Sequence, residues 1–303
     1  MSQAHSLDDI KPLEIESGAL QSQRSDLPEK SFRWGLFAAL AVALITLAVL
    51  LIFIVTEGWP RFNLQLFTNM PSIRLPEIAG AQSAITGSIW VIVTTGFISL
   101  PVGILAAIYL EEYGNPLGRF YRLVEINIQN LAAVPSIVYG ILGLGVIARA
   151  LALGQTVITA ALTLSLLILP VIIISTREAI RAVPQSIRFG SMALGATKWQ
   201  TIWKQVLPVA TPGTATGAIL ALSRAIGEAA PLLLLGAVTF ITFNPNGLLS
   251  SYTVMPIQIY NWISQSRDEF HVLAAALCIV LLMLLLVLNG LAIFLRNKYQ
   301  KRW

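Results

Sequence analysis

The sequence has little charge, almost no histidine and a single cysteine. Only 12% of its 303 residues are charged, against about 25% in an average soluble domain, while 56% are hydrophobic and the mean hydropathy is +0.75. One cysteine, Cys278, excludes an intramolecular disulfide, and two histidines, His5 and His271, leave a Cys/His metal site short of ligands. This composition indicates a membrane protein with several spans rather than a soluble domain.

Signatures of common catalytic sites are also missing. The nearest approach to a phosphate-cradling loop is GSMALGAT, which begins at Gly190 and has Ala196 where the lysine belongs. Neither H-E-x-x-H nor G-x-S-x-G occurs, which excludes metalloproteases and serine hydrolases of those types. An intramembrane serine protease would need a base, for which His271 is the only candidate in the membrane region. We therefore predict no catalytic residue, no metal and no cofactor in this chain.

Long apolar runs recur along the chain. A helix needs about 20 apolar residues to cross a hydrocarbon core roughly 30 Å thick, and such runs form helices because lipid leaves no partner for free backbone groups. The runs cover residues 34–56, 84–110, 127–149, 156–176, 209–238 and 271–295. The expected fold class is an all-α integral membrane protein with six transmembrane helices.

Four parts are expected along the chain. Residues 1–30 form a polar cytoplasmic tail, which we expect to be disordered. Residues 31–82 contain the first transmembrane helix and an external loop. Residues 83–295 contain the other five transmembrane helices and a cytoplasmic loop at 177–208, and residues 296–303 are a basic cytoplasmic end.

The Lys and Arg residues outside the spans are distributed unevenly. Fifteen lie in the four segments that would share one side, residues 1–33, 111–126, 177–208 and 296–303, and only four lie on the other side. Because cytoplasmic loops are enriched in Lys and Arg, both termini are predicted to face the cytoplasm. We therefore attribute the formal charge of +5 to the topology in the membrane. It does not indicate nucleic-acid binding, because the basic residues are spread over four segments and form no single basic stripe.

The loop at 177–208 has clear local signals. Pro184 suits the first turn of a helix, and Gly195 is placed to end that helix. Thr197 and Gln200 have the spacing of a capping box that starts a second helix. The apolar residues that follow at helical spacing predict one apolar face: Trp199, Ile202, Trp203 and Val206. We predict two short helices joined by a glycine turn, the knuckle (residues 184–208); an interfacial helix on the lipid headgroups is the alternative.

Two charges interrupt the apolar run ILALSRAIGEAAPLLLLGA. Arg224 and Glu228 are four residues apart and so lie on one helix face. A charge at the bilayer centre costs about 2.5–3.5 kcal/mol on insertion scales, far more than the roughly 0.5 kcal/mol that an exposed pair returns. The pair must therefore face the protein interior or water, either as a buried structural pair or, as we favour, in a functional role. Prolines within or beside the spans, notably Pro135 and Pro231, predict helix breaks.

The knuckle resembles the cytoplasmic loop of binding-protein-dependent ABC importer permeases. Their pattern is E-A-A, three residues, G, nine residues, I, one residue, L-P. The glycine falls on Gly195 and the ending on Leu207 and Pro208, while Phe189 replaces the acidic residue and Gln205 the isoleucine. Between residues 83 and 290, three more stretches resemble the phosphate importer permeases of the PstA type: PVGILAAIYLEEYG, NLAAVPSIVYGILGLG and LSRAIGEAAPLLLLGA.

This resemblance implies a permease of type I ABC importer architecture that carries inorganic phosphate. Its implied partners are a second permease subunit of the PstC type, two ATP-binding subunits of the PstB type and an external phosphate-binding protein of the PstS type. ATP and magnesium would be bound by those partner ATPase subunits. The knuckle would be the coupling helix, and the implied ATPase-coupling residues are Ala193, Gly195, Ala196, Leu207 and Pro208.

Arg224 and Glu228 would then line the substrate pathway. Arginine is suited to forked bonding of phosphate oxygens, and Glu228 would hold the guanidinium when phosphate is absent, so that the anion passes by exchange. Three alternatives remain: a permease for another oxyanion such as molybdate or sulfate, an intramembrane enzyme, and a secondary transporter. The last is disfavoured because the sequence has no clear inverted repeat.

Overall fold

The computed structural model describes residues 26–237 and 240–299 of the chain, and every regular element in these ranges is helical. Two compact units are distinguished, one through Ile52 and one from Phe53 onward. Most of the tail expected at 1–30 lies outside the described residues, but helix α1 (Asp26–Gly58) already includes the last five residues of that tail. The basic end expected at 296–303 is described only as far as Tyr299, where it continues the last helix.

Eleven further α-helices follow in the described residues. They are α2 (Leu64–Thr68), α3 (Gln82–Ile108), α4 (Arg119–Ala133), α5 (Ser136–Leu142), α6 (Val157–Arg181), α7 (Gln185–Ala193), α8 (Lys198–Thr201), α9 (Leu207–Gly227), α10 (Ala230–Leu234), α11 (Met255–Ile263) and α12 (Asp268–Tyr299). Turns of π-helix extend three of them: Tyr109–Tyr113 continues α3, Gly143–Ala150 continues α5, and Ile202–Val206 joins α8 to α9.

Five helical segments of the described chain are long and apolar enough to cross a membrane, and the bent pair of α4 and α5 makes six if it is counted as one span. Residues 127–149 do not form one continuous helix: the chain bends by 104° between α4 and α5, at the position where Pro135 predicts a helix break. The fifth span, expected to reach residue 238, ends as a continuous helix at Gly227. Proline chemistry explains both differences, as described below.

The core of the second unit is built where α6 packs between α3 and α9, and α12 packs on α9. Small residues allow these close approaches, because helices in lipid associate through tight backbone packing. On α9, Gly213 and Gly217 have the spacing G-x-x-x-G, which permits such a contact: a Cβ atom at Gly217 would collide with Ser175 of α6, and one at Gly213 with Ala179. Some hydroxyls buried in this core bond a carbonyl of their own helix, as when Thr95 donates to the Val91 carbonyl at 2.8 Å.

Proline alone does not break the spans. Pro101, Pro170 and Pro212 lie inside uninterrupted helices, as is tolerated where neighbouring helices satisfy the freed carbonyls. Of the prolines within the described spans, Pro135 and Pro231 lie beside breaks. The helices that follow these two breaks, α5 and α10, pack against each other.

Candidate functional site

The fifth span is interrupted between Arg224 and Pro231. Helix α9 ends at Gly227, Glu228 adopts an extended backbone with ψ of 106°, and the helix resumes at Ala230. Pro231 lies in the first turn of α10, where its missing N–H is not needed. A helix end leaves backbone carbonyls without a donor from its own helix, so the interruption adds acceptors beside the two charged side chains.

Arg224 and Glu228 form an ion pair at the surface of the isolated chain. The Arg224 Nε lies 3.3 Å from Glu228 Oε1, with the two side chains 56% and 18% exposed. Among residues 26–237 and 240–299, no other acceptor bonds the Arg224 guanidinium, so both of its terminal nitrogens are free of protein partners. An exposed pair of this kind contributes about 0.5 kcal/mol at most, and it leaves a forked donor available to an anion.

The third span is interrupted between α4 and α5. Proline disfavours helical conformation in the residue before it, and Val134 and Pro135 are extended, with ψ of 131° and 137°. The Tyr139 hydroxyl donates to the Leu131 carbonyl across the break at 2.8 Å. The bend of 104° is therefore stabilised by a specific hydrogen bond.

The two interrupted helices meet. A Cβ atom added at Gly140 of α5 would lie 2.8 Å from both the Cα and the carbonyl oxygen of Pro231, and 3.1 Å from Leu234 Cβ. Only glycine permits this approach, because the obstacle is backbone. Discontinuous helices at an intramembrane contact are a common way to build an ion or substrate site, since free backbone groups then border a cavity.

Replacement of Gly140 by Ala is expected to force α5 away from Pro231. Overpacking of this kind costs about 1–3 kcal/mol, and the detergent-purified protein should show a lower midpoint of thermal unfolding. Gly145→Ala is the matched control, since a Cβ there meets nothing within 4 Å. Equal midpoints for the two variants would contradict the packing of the breaks.

The knuckle has the predicted helix, turn and helix. Helix α7 follows Pro184, and Gly195 has the left-handed φ of +85°. The turn is a Schellman motif: the Ala196 N–H donates to the Ser191 carbonyl at 3.2 Å, and the Gly195 N–H to Met192 at 3.0 Å. The predicted capping box of Thr197 and Gln200 is confirmed at the start of α8.

The predicted coupling residues fall into two groups. Ala193, Gly195 and Ala196 lie at the glycine turn. Leu207 and Pro208 instead begin α9 and line an apolar groove of about 860 Å³ between α3 and α9. The turn is the part available to a partner, and its neighbours Phe189 and Leu194 are exposed.

The apolar residues after the turn are not all buried. Ile202 and Val206 are buried in the core, whereas Trp199 and Trp203 are exposed and stack on each other with ring centroids 5.4 Å apart. Apolar residues spaced three and four apart cover a wide stripe of the helix surface, so one edge of the stripe can be buried while the other is exposed. One half anchors the knuckle to α6, through Ile180, and the other half faces outward.

A group of buried ion pairs beside the knuckle was not predicted. Arg177 of α6 has a side chain only 7% exposed, and it bonds Glu111 at 3.3 Å and Glu125 at 3.0 Å. Its Nη2 also donates to the Tyr121 hydroxyl at 2.7 Å. Arg181 bonds the other oxygen of Glu111 at 2.7 Å.

Arg188 forms the neighbouring pair. Its guanidinium bonds Glu112 at 2.9 Å, with both side chains about one-tenth exposed, and donates to the carbonyls of Ile180 and Val183. These groups make up the ion cluster: Glu111, Glu112, Glu125, Arg177, Arg181 and Arg188. The adjacent glutamates in LEEYG were the only sequence signal, and they did not identify the partners, which lie 52 to 76 residues away.

A family model matches residues 99–298 of the chain, and its description is "Binding-protein-dependent transport system inner membrane component". Among the curated relatives, the phosphate transport system permease protein PstA of Mycobacterium leprae is 33% identical over 84% of this chain and 85% of its own length. PstA of Haemophilus influenzae is 29% identical over 88% and 92%. The probable ABC transporter permease protein YqgI of Bacillus subtilis is 33% identical over 70% and 72%.

Solved structures with the same fold include chains of two transporters. A chain of a bacterial alginate ABC transporter, in complex with an alginate-bound periplasmic protein, aligns with a TM-score of 0.63 over 90% of this chain and 98% of that chain, at 16% identity. A chain of the MetNI methionine ABC transporter aligns with a TM-score of 0.51 over 71% and 94%, at 21% identity. At these identities the likeness concerns the fold alone.

Proposed function

We propose, since the chain belongs to the family of binding-protein-dependent transport system inner membrane components, that it is the permease subunit of an ATP-driven importer of inorganic phosphate. Relatives that align over most of this chain are named phosphate transport permeases. The expected architecture, an all-α type I ABC importer permease, is confirmed by the helical fold and its likeness to the alginate transporter chain. The chain is a multi-pass inner membrane protein and a transport subunit without catalysis of its own.

The single observation that carries the choice of substrate class is the free fork of Arg224. Its terminal nitrogens have no acceptor in the described chain, although the residue lies in a membrane-spanning segment. Two parallel donors match the oxygens of a phosphate group. In this proposal phosphate displaces the Glu228 carboxylate from the Arg224 guanidinium, and the carboxylate later displaces the phosphate. The anion is therefore released rather than trapped.

Other subunits complete the importer. ABC permeases work with ATPase subunits and a substrate-binding protein, and here we propose a second permease of the PstC type, two ATP-binding subunits of the PstB type and an external binding protein of the PstS type. ATP and magnesium are bound by the ATPase subunits. Because Arg224 is exposed on the isolated chain, the second permease would supply the opposite wall of the path.

The glycine turn is the proposed contact with the ATPases. It is exposed and rigidly formed, with Ala193, Gly195 and Ala196 at its centre. Leu207 and Pro208 are the first residues of α9, and the π-helical turn Ile202–Val206 connects them to α8 and the glycine turn. The excess of Lys and Arg on the side that carries the knuckle supports a proposed topology in which both termini face the cytoplasm.

Uptake of labelled phosphate into vesicles containing all subunits tests this function. We expect ATP-dependent uptake that requires the binding protein and is competed by unlabelled phosphate, but not by an equal concentration of molybdate or sulfate. Stronger competition by one of those oxyanions would reassign the substrate. Accumulation without ATP would contradict an ABC importer.

A further inference from the structure

Glu112 is held by both helices of the knuckle. Arg188 is the only buried residue of α7, and its guanidinium bonds the Glu112 carboxylate at 2.9 Å and 3.1 Å. At the start of α8, the Lys198 ammonium donates to the Glu112 backbone carbonyl and lies 4.9 Å from the centre of the Tyr113 ring. The glycine turn between the two helices is therefore anchored on both sides to the end of α3.

The neighbouring glutamate connects the same end of α3 to two other helices. Arg177 and Arg181 of α6 each take one oxygen of Glu111. Arg177 also bonds Glu125 of α4. The π-helical turn Tyr109–Tyr113 thus joins α3, α4, α6 and the knuckle through the ion cluster.

Burial makes these contacts more rigid than surface pairs. Arg177, Arg188 and Glu112 are each at least nine-tenths buried as side chains, and a buried charge that loses its partner is strongly penalised. Arg188 is also bonded to two main-chain carbonyls. A displacement that separated α7 from α3 would leave several charges and acceptors unpaired at once.

Packed helices connect the ion cluster with the proposed anion path. Helix α4 carries Glu125 and runs into the break at Pro135. Beyond that break, Gly140 packs directly against Pro231, three residues after Glu228. A continuous series of packed elements therefore connects the knuckle with the interrupted fifth span.

We propose that Glu112 is a positioning residue for coupling, which fastens the knuckle to α3 so that the two move as one body during transport. This inference rests on the proposed function, in which the knuckle contacts the ATPases. Motion imposed on the glycine turn is then passed through Glu112 to α3, and through Glu111 and Arg177 to α4. A purely structural pair would affect stability and assembly without affecting the amount of ATP spent for each phosphate transported.

The test replaces the ion pair by a covalent link that can be made after assembly. Glu112→Cys with Arg188→Cys is introduced in a Cys278→Ala background, because Cys278 is the only native thiol. In vesicles with the full importer, the unlinked pair is expected to raise the ATP hydrolysed per phosphate about tenfold, within the usual range of coupling between protein sites. A short bifunctional thiol reagent that spans the distance of an ion pair should then restore the original ratio.

The exposed pair Arg267 and Glu269 provides the control, and the same two cysteines there should leave the ratio unchanged with or without the link. An unlinked Glu112 and Arg188 variant with a normal ratio would overturn the proposal. So would a link that fails to restore the ratio or that stops transport.

If the cysteine variant does not assemble, the exchanged pair Glu112→Arg with Arg188→Glu is measured instead. Fewer ATP molecules hydrolysed per phosphate than in Glu112→Arg alone would support the proposal, and no improvement would refute it. Failure of the unmutated importer to take up phosphate would instead contradict the proposed function.

Discussion

Replacement of Arg224 by Gln is expected to reduce phosphate uptake to near background while the protein still inserts and assembles. The guanidinium offers the anion a charge-assisted fork, and each hydrogen bond to a charged group is worth about 1.5–3 kcal/mol. Loss of one such bond in the limiting state for transport lowers the rate roughly 10- to 100-fold, at about 1.4 kcal/mol for each factor of ten. Glutamine retains polarity but neither the charge nor the fork. Initial rates of labelled phosphate uptake in vesicles measure the effect.

Arg267→Gln is the matched control for this variant. Arg267 is as exposed as Arg224, at 52% against 56%, and it also pairs with a nearby glutamate. It immediately precedes α12, outside the proposed path, and its replacement should leave uptake unchanged. Normal uptake by the Arg224→Gln importer would show that Arg224 and Glu228 are only a structural pair.

Replacement of Gly195 by Val is expected to uncouple ATP hydrolysis from transport. A left-handed conformation costs an ordinary L-residue about 1–2 kcal/mol, and for a β-branched residue it is a genuine outlier. A Cβ atom added at Gly195 would meet no atom within 4 Å, so the expected effect arises from the backbone conformation. We expect the Schellman turn to open, the knuckle to lose its seat on the ATPases, and phosphate-stimulated ATPase activity in reconstituted vesicles to fall to the unstimulated level.

Asparagine at the same position separates conformation from bulk. Gly195→Asn is also larger than glycine, but asparagine tolerates the left-handed region and serves as a helix C-cap. It should retain most of the stimulated activity. If Val is tolerated as well as Asn, the turn geometry does not control coupling.

Local signals explain why the knuckle was predictable. Helix caps depend on residues within one or two turns of each other, so the capping box of Thr197 and the glycine turn at Gly195 are visible in the sequence. The same holds for the spacing of Arg224 and Glu228, which fixes their common face. How wide the apolar stripe is and how it divides were not visible, because Trp199 and Ile202 satisfy the same helical pattern but meet different surroundings.

Non-local contacts explain what was missed. Pro135 predicts a break in the third apolar run, but the size of the bend depends on contacts such as the Tyr139 hydrogen bond across the break, and other prolines leave their helices intact. The arginines at 177, 181 and 188 appeared in the sequence only as positive charges of one loop. Their carboxylate partners lie on helices far away in sequence, where no helical spacing relates them.

Thiol accessibility at position 224 in the assembled importer tests the proposed anion path most directly. Arg224→Cys in the Cys278→Ala background is treated with a charged, membrane-impermeant thiol reagent, and the labelling rate is measured with and without ATP. We predict labelling of Cys at this position, at a rate that differs between the nucleotide states, because water reaches the position during transport. No labelling in any state, while Arg267→Cys in the same complex reacts readily, would contradict the placement of Arg224 and Glu228 beside the path.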